Sequence, residues 1–279
     1  MTEPAGPPER DDRDLLRRAE ALVFVADLDA PACSREDAHH LLDVLRLRDG
    51  APVVAADGRG SWRPYAIARP APAGGRGRVR GRAPGPPGGT MTGLLVPSGA
   101  PRREAPAGPA LTIGFALQKG DRPEWTVQKL TELGVDRILP LLTERTVVRL
   151  EPGEVAARGA RLRRVAREAA MQSRRPRLPE VADPMPLADA LAELTGAAAG
   201  NEPGAAPAPS VTLAEPGGGP LPAAATCVLV GPEGGWSPSE LGAGVTLVDL
   251  GPSVLRAETA AIVAGTLLAA LRSGTVRPA

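Results

Sequence analysis

The chain has 279 residues, 43% of them hydrophobic but only 2% aromatic, so a core of one large or two modest domains must be built from aliphatic side chains. Its net charge of +1 by itself argues neither for nor against a nucleic-acid partner. Two cysteines, Cys33 and Cys227, cannot make a disulfide framework and point to a reduced, cytoplasmic setting. No Cys lies at metal-ligand spacing from the adjacent pair His39 and His40, so no metal is expected.

Met1 to Arg13 is polar and acidic, without the apolar core of a signal peptide, and residues 1–20 are expected to form a disordered tail. From Ala21 the chain turns strand-like, with Leu22 to Val25 short and apolar. Ser34 to Arg48 reads as a helix with Ser34 as N-cap and Asp37 at the third helical position. His39, Leu41, Leu42 and Leu45 fall on one side of it. Asp49-Gly50 and Asp57-Gly58 are turns around a strand over 52–56, and Trp62 to Ala68 and Arg78 to Arg82 suggest two more strands. A β-rich module over residues 21–83 results. Residues 84–109 are rich in Pro and Gly and read as a linker, within which Met91 to Val96 could add a strand.

From Ala110 strands alternate with helices. Strands are expected at Leu111 to Leu117, Val135 to Leu142, Thr226 to Val230 and Thr246 to Leu250. Helices are expected at Arg122 to Leu133, Glu154 to Gln172, Leu187 to Leu194, from Pro238, and at Ala257 to Leu271. Such alternation implies a parallel sheet covered on both faces. Residues 195–222 have no clear pattern. The longest apolar run, Ala260 to Leu271, is too short to span a bilayer. Arg158, Arg161, Arg163, Arg164, Arg167, Arg174, Arg175 and Arg177 crowd one stretch and form a plausible phosphate footprint, or a solvated helix face.

Two segments carry the chemistry. Val228 to Glu240 runs from a buried strand through the glycine-rich loop Gly231-Pro232-Glu233-Gly234-Gly235 into a helix opened by Ser237, Pro238 and Glu240, a capping box with proline at its favoured place. The loop sits at the carboxyl end of a strand, where parallel sheets bind ligands, and its glycines admit close backbone approach. Neither Walker nor dinucleotide spacing is present. Leu250 to Ala260 repeats the plan, with Arg256 set against the positive end of the helix it starts and Glu258 just inside. A third segment, Gln118 to Arg122, holds Lys119, one of only two lysines in the chain.

These motifs together resemble the RsmE family of 16S ribosomal RNA uridine-N3 methyltransferases, within the SPOUT superfamily. The resemblance is carried by Lys119 to Arg122, Lys129 to Val135, Glu144 to Arg149, Glu168 to Val181, Gly231 to Gly235 and Leu250 to Ala260, with His39 to Gly50 similar to that family's PUA-like RNA-binding module. It implies an α/β fold: a SPOUT-type parallel sheet with a C-terminal trefoil knot over residues 110–275, and the small β-rich PUA-like domain at 21–83. It also implies a homodimer and S-adenosyl-L-methionine as cofactor. The residues carried over for cofactor binding are Gly231, Pro232, Glu233, Gly234, Gly235, Leu250, Gly251, Val254, Leu255, Arg256, Thr259 and Ala260. Two departures stand out. Ser253 occupies a place where many relatives carry Arg, and the first knot strand would fall near the weakly strand-like Thr195 to Glu202.

Methylation at uridine N3 needs a deprotonated ring nitrogen, so a cation near the pyrimidine oxygens is the first requirement. Arg256 is the leading candidate, with Glu258 or Glu233 as proton acceptor. Arg46, Lys119, Arg122, Arg145, Arg149, Arg164, Arg174, Arg175 and Arg177 are the candidate contacts to 16S ribosomal RNA of the small subunit. A different RNA target, such as a ribose 2′-oxygen, and a non-catalytic ribosome-assembly protein remain as alternatives.

Overall fold

A computed structural model of the chain describes residues 10–69, 89–196, 210–242 and 244–276. The chain divides into two compact units, one of residues 1–106 with 170–177, the other of 107–169 with 178–279.

The first unit begins where a tail was expected. Arg10–Arg18 forms helix α1, because Leu16 and Ala19 bury themselves against Val54, Ala56 and Trp62, with Leu15 beside them. Two leucines and an alanine at helical spacing suffice to dock so polar a segment. Strand β1 (Ala21–Phe24) pairs in parallel with β3 (Pro52–Ala56), which pairs antiparallel with β4 (Ser61–Ile67). Between β1 and β3 lie β2 (Ala32–Ser34) and helix α2 (Arg35–His39), capped by the Ser34 hydroxyl, which accepts from the Asp37 N–H at 3.0 Å. The helix expected to reach Arg48 instead widens into a π-helical turn, His40–Val44, and stops at Arg46, whose φ is +54°. The widened turn rotates the apolar side: Leu41 is buried, but Leu45 and Val44 are exposed.

No linker follows. The described part of 84–109 contributes β5 (Thr90–Thr92) against β2, and β6 (Leu95–Pro97) and β7 (Arg102–Arg103) against β4. Strands this short carry almost no periodicity, and their pairing with longer partners makes them. The strand expected at 78–82 lies outside the described residues. The chain returns to this unit at 170–177, where Arg174 adopts a φ of +59°. The Arg174 guanidinium donates to the carbonyls of Ala19 (3.1 Å), Glu20 (2.7 Å), Met171 (2.8 Å) and Gln172 (3.2 Å), and burial pushes its pKa down. Arg177 donates to the Glu104 carbonyl at 3.0 Å. These two guanidinium groups are therefore engaged in holding backbone.

The second unit is a parallel sheet of β8 (Thr112–Ala116), β9 (Arg137–Leu142), β10 (Glu180–Val181), β11 (Met185–Pro186), β12 (Val211–Gly219), β13 (Cys227–Val230) and β14 (Thr246–Val248). The order is β10-β9-β8-β13-β12-β14, with β11 beside β9. Alternate residues face opposite sides. Ile113, Phe115, Ile138, Val228 and Val230 lie in one core with helices α3 (Arg122–Glu132), α4 (Pro152–Gln172) and α7 (Ala257–Arg272) through Leu130, Leu162 and Leu268. Leu139, Leu141, Leu213 and Leu229 lie in the other, with α5 (Leu187–Gly196) and Trp236. Gly114 is fixed by that second core: a Cβ there would stand 2.5 Å from Leu229 Cδ2. Of the residues read as strand-like at 195–202, only the first two are described. Thr195 and Gly196 end α5, 197–202 lie outside the described residues, and the edge-proximal strand is β12. Among the described residues no helix is long and apolar enough to cross a membrane.

Candidate active site

The exits of β13 and of the edge strand β14, with the middle of β12 between them, line a cavity of about 280 Å³. From the β13 exit come Gly231, Pro232, Glu233, Gly234, Gly235 and Trp236; from the β14 exit come Asp249, Leu250, Gly251, Ser253, Val254 and Leu255. The middle of β12 adds Ala214, Glu215 and Pro216, where its register with β14 is broken, and α7 adds Ala257 and Ala260. The two glycine-bearing loops singled out in the sequence therefore share one cavity. Arg256, Glu258 and Thr259 are not among the residues that line it.

Local chemistry explains why these loops hold their shape. The β13 exit is anchored by helix α6 (Pro238–Leu241), whose capping box is complete: the Ser237 N–H donates to Glu240 Oε2 at 2.7 Å and the Glu240 N–H to Ser237 Oγ at 3.2 Å. Glu240 also accepts from the Glu144 N–H at 2.9 Å, and Arg145 donates to the Gly234 carbonyl at 2.8 Å. The segment 143–149 is thereby tied to the glycine loop. Ser239 donates to Glu144 at 2.6 Å, and with Ser237 it holds the Glu144 carboxyl below its ordinary pKa. Trp236 is 3% exposed, and its indole N–H donates to the Ala214 carbonyl at 2.9 Å, joining the β13 exit to the middle of β12.

Asp249 joins the other pair. Its carboxylate accepts from the Gly251 N–H and from the Gly217 N–H, each at 3.0 Å, and these bonds hold its pKa down. Gly217 has a φ of +82°, and Gly251 one of +138°, conformations that side chains rarely adopt. One carboxylate thus ties the irregular part of β12 to the loop that follows β14.

Beside the cavity lies a cluster of charge. Glu233 lines the cavity, and Glu258 lies in the first turn of α7. Arg122 donates to Glu233 at 3.1 Å and stands 3.8 Å from Glu258. Gln118 Nε2 donates to Glu258 at 2.9 Å and to Glu233 at 3.4 Å. Gln118 is 4% exposed, yet its Oε1 has no hydrogen-bond partner among the described residues. Arg256 occupies the N-cap of α7 without a side-chain cap bond and is exposed.

Of the remaining candidates, Lys119 is exposed just past β8, Arg149 donates to the Thr146 carbonyl at 3.0 Å, and Arg164 is exposed on α4. Arg46, Arg174, Arg175 and Arg177 belong to the first unit. Part of the arginine-rich stretch is neutralised: Arg158 and Arg161 lie 3.4 and 2.7 Å from Glu124, and Arg163 2.7 Å from Asp183. The sequence reading missed Glu215, Trp236 and Asp249. An apolar strand ending in an acid, Val211 to Glu215, was the signal that could have found the first of them.

The donor set fits a cationic cofactor with an adenine ring. Apolar Val230, Leu250, Leu255, Ala257 and Ala260 offer a face for a flat ring, the glycine backbones offer N–H and C=O groups, and the carboxylates Glu215, Glu233 and Asp249 suit a positive charge. The Cys227 thiol, pushed up to about 12 by burial, takes no part.

Residues 105–269 match the model of an RNA methyltransferase domain, and residues 34–72 that of an RNA methyltransferase PUA domain. A ribosomal RNA small subunit methyltransferase E from Mycobacterium bovis is 32% identical over 240 residues, covering 82% of each chain. The solved structure of a ribosomal RNA small subunit methyltransferase E from Neisseria gonorrhoeae, bound to S-adenosyl methionine, superposes with a TM-score of 0.66 at 24% identity, covering 90% of this chain and 97% of that one. A Legionella pneumophila protein solved with bound cofactor SAM gives 0.65 at 25% identity, covering 89% and 96%. With an N-terminal β-rich unit, a parallel α/β sheet of SPOUT type, and both domain models matched in order, the chain belongs to the ribosomal RNA small subunit methyltransferase E family, RsmE.

Proposed function

We propose that this protein transfers a methyl group from S-adenosyl-L-methionine to N3 of a uridine in 16S ribosomal RNA of the small subunit. The observation that carries this reading is the single cavity shared by Gly231 to Gly235 and Leu250 to Leu255. When bound, the cofactor supplies an activated methyl group. The chain's own residues must then present the base, exclude water and manage one proton. Glu233 and Glu258 are the proton acceptors within reach of the cavity, held by Gln118 and Arg122. Arg256 is the cation for the pyrimidine oxygens, where negative charge collects once N3 is deprotonated. Lys119, Arg149 and Arg164, with Arg46 and Arg175 of the first unit, are proposed phosphate contacts that position rather than read the RNA. The trefoil knot and homodimer of the SPOUT plan belong to the same reading.

The test is nucleoside mass spectrometry of ribosomal RNA from cells lacking the protein, which should lack 3-methyluridine; a ribose-methylated nucleoside missing instead would refute the N3 assignment. In vitro, Arg256→Ala should abolish methylation while cofactor binding stays measurable by calorimetry. Full activity of that variant would remove Arg256 from the mechanism.

A further inference from the structure

One buried polar group beside the two acids makes only part of the hydrogen bonds it can make. Gln118 follows β8 directly and is almost wholly enclosed. Its amide nitrogen reaches two carboxylates, Glu258 at 2.9 Å and Glu233 at 3.4 Å. Its amide oxygen reaches nothing among the described residues. Turning the amide over would set that oxygen against both carboxylates, so the two acids fix which way it points. A buried, unpartnered carbonyl carries a desolvation cost that an aliphatic side chain of the same length would not. The glutamine is therefore poorly explained as packing. Arg122 reaches the same two acids from the more exposed side, at 3.1 Å and 3.8 Å. The pair is gripped between a buried amide and a half-exposed guanidinium. Glu233 lines the cofactor cavity, and so do Ala257 and Ala260 of the helical turn that carries Glu258.

We propose that Gln118 is a positioning residue for methyl transfer: its amide holds the Glu258 and Glu233 carboxylates together at the cavity edge, so that the proton acceptor is in place when the base arrives. This rests on the assignment of one of those acids as proton acceptor. Two donors on opposite sides are what a carboxylate needs to keep one rotamer, and misplacement of a reacting group by about 1 Å costs on the order of 100-fold in rate.

The test uses the full-length protein, S-adenosyl-L-methionine labelled in its methyl group, and small subunits from cells lacking the enzyme. Gln118→Met keeps the length of the side chain and removes both amide groups. Its kcat should fall by about 10- to 100-fold, with the KM for subunits and the calorimetric cofactor affinity nearly unchanged. In a background with both Glu233→Gln and Glu258→Gln the same substitution should cost little more, because the groups it acts through are already gone. Wild-type kcat in Gln118→Met overturns the proposal, as does an equal loss in both backgrounds. Gln118→Glu is the second variant, should the first fold poorly. Protonated, it can still donate one hydrogen bond; ionised, it repels both acids. Its kcat should therefore fall away from the wild-type profile as pH rises, and a parallel profile overturns the proposal. A wild-type protein that methylates no ribosomal RNA would fail the functional assignment itself, whereas an active wild type with an equally active Gln118→Met fails only the role of Gln118.

Discussion

Gly231→Ala tests whether the cavity wall is as tightly built as its contacts imply. A Cβ at that position would lie 3.0 Å from Trp236 Cε2, 3.1 Å from Cδ2 and 3.3 Å from Nε1. The indole would have to yield by a few tenths of an ångström. It is 3% exposed and committed through Nε1 to the Ala214 carbonyl at 2.9 Å, so any shift strains the bond that joins two cavity walls. Overpacking of this kind costs about 1–3 kcal/mol. In a domain of this size each kcal/mol lowers Tm by roughly 2–4 °C. Ala214, Gly231 and Trp236 all line the cavity, so part of that cost must appear in binding; about 1.4 kcal/mol would weaken the cofactor tenfold. Titration calorimetry with S-adenosyl-L-methionine and thermal denaturation with and without it measure both quantities. A variant with wild-type affinity and wild-type Tm would show that the indole has room to move, and the tight wall would be refuted.

Two other perturbations separate parts of the structure. Asp249→Asn leaves one acceptor where two N–H groups, of Gly217 and Gly251, are now served, and should weaken cofactor binding several-fold without unfolding the protein; unchanged affinity would mean the turns hold themselves. Because those bonds lower the Asp249 pKa, their contribution is complete above the ordinary aspartate range and is lost only as pH falls through the lowered folded value. Cofactor affinity of the wild type should therefore persist through mildly acid pH, and an Asp249-dependent loss near neutrality would contradict the assignment. Leu16→Ala should cost about 2 kcal/mol, the low end for a buried leucine, since α1 is terminal. Urea unfolding followed by Trp62 fluorescence would detect it, and an unmoved midpoint would return residues 10–18 to the status of a tail.

In the second unit β8, β9, β13 and β14 were legible because they are runs of β-branched and aliphatic residues in a parallel sheet, and the helices carry long apolar faces, whereas the two-residue β10 and β11 and the Gly/Pro-containing β12 were not. Ends shifted by only one or two residues: Ala257–Arg272 for the helix expected to stop at Leu271, Cys227–Val230 for the strand expected from Thr226. The small unit was harder. Arg10–Arg18 is so polar that only Leu15, Leu16 and Ala19 speak for it, and what they need, Trp62, is more than forty residues away. The strands at 90–103 are two or three residues long and exist through their partners. The π-helical turn at His40–Val44 has no counterpart in hydrophobic spacing. At the site, the glycine loops announced themselves through Ser237, Pro238 and Glu240, whose capping chemistry is local. Trp236 and Asp249 did not, because each acts on a backbone group some twenty to thirty residues away, Ala214 or Gly217.

The distribution of charge around the cavity explains why the acids and Arg256 can have opposite tasks. Arg122 is spent on Glu233 and Glu258, and Arg145 on the Gly234 carbonyl. Both cations stabilise the shape of the ground state. The Arg256 side chain makes no hydrogen bond or ion pair among the described residues, and it stands at the positive end of α7 with no cap bond to offset that placement. A cation in such a position is disfavoured until an anion arrives. A neutral uracil gives it little, whereas a uracil that has lost its N3 proton gives it a full negative charge spread over two oxygens. The interaction is then stronger in the transition state than in the resting complex, which is the condition for a residue to raise kcat rather than merely lower KM. Arg256→Ala should accordingly depress kcat far more than it raises the KM for small subunits; a variant altered only in KM would place Arg256 among the phosphate contacts instead.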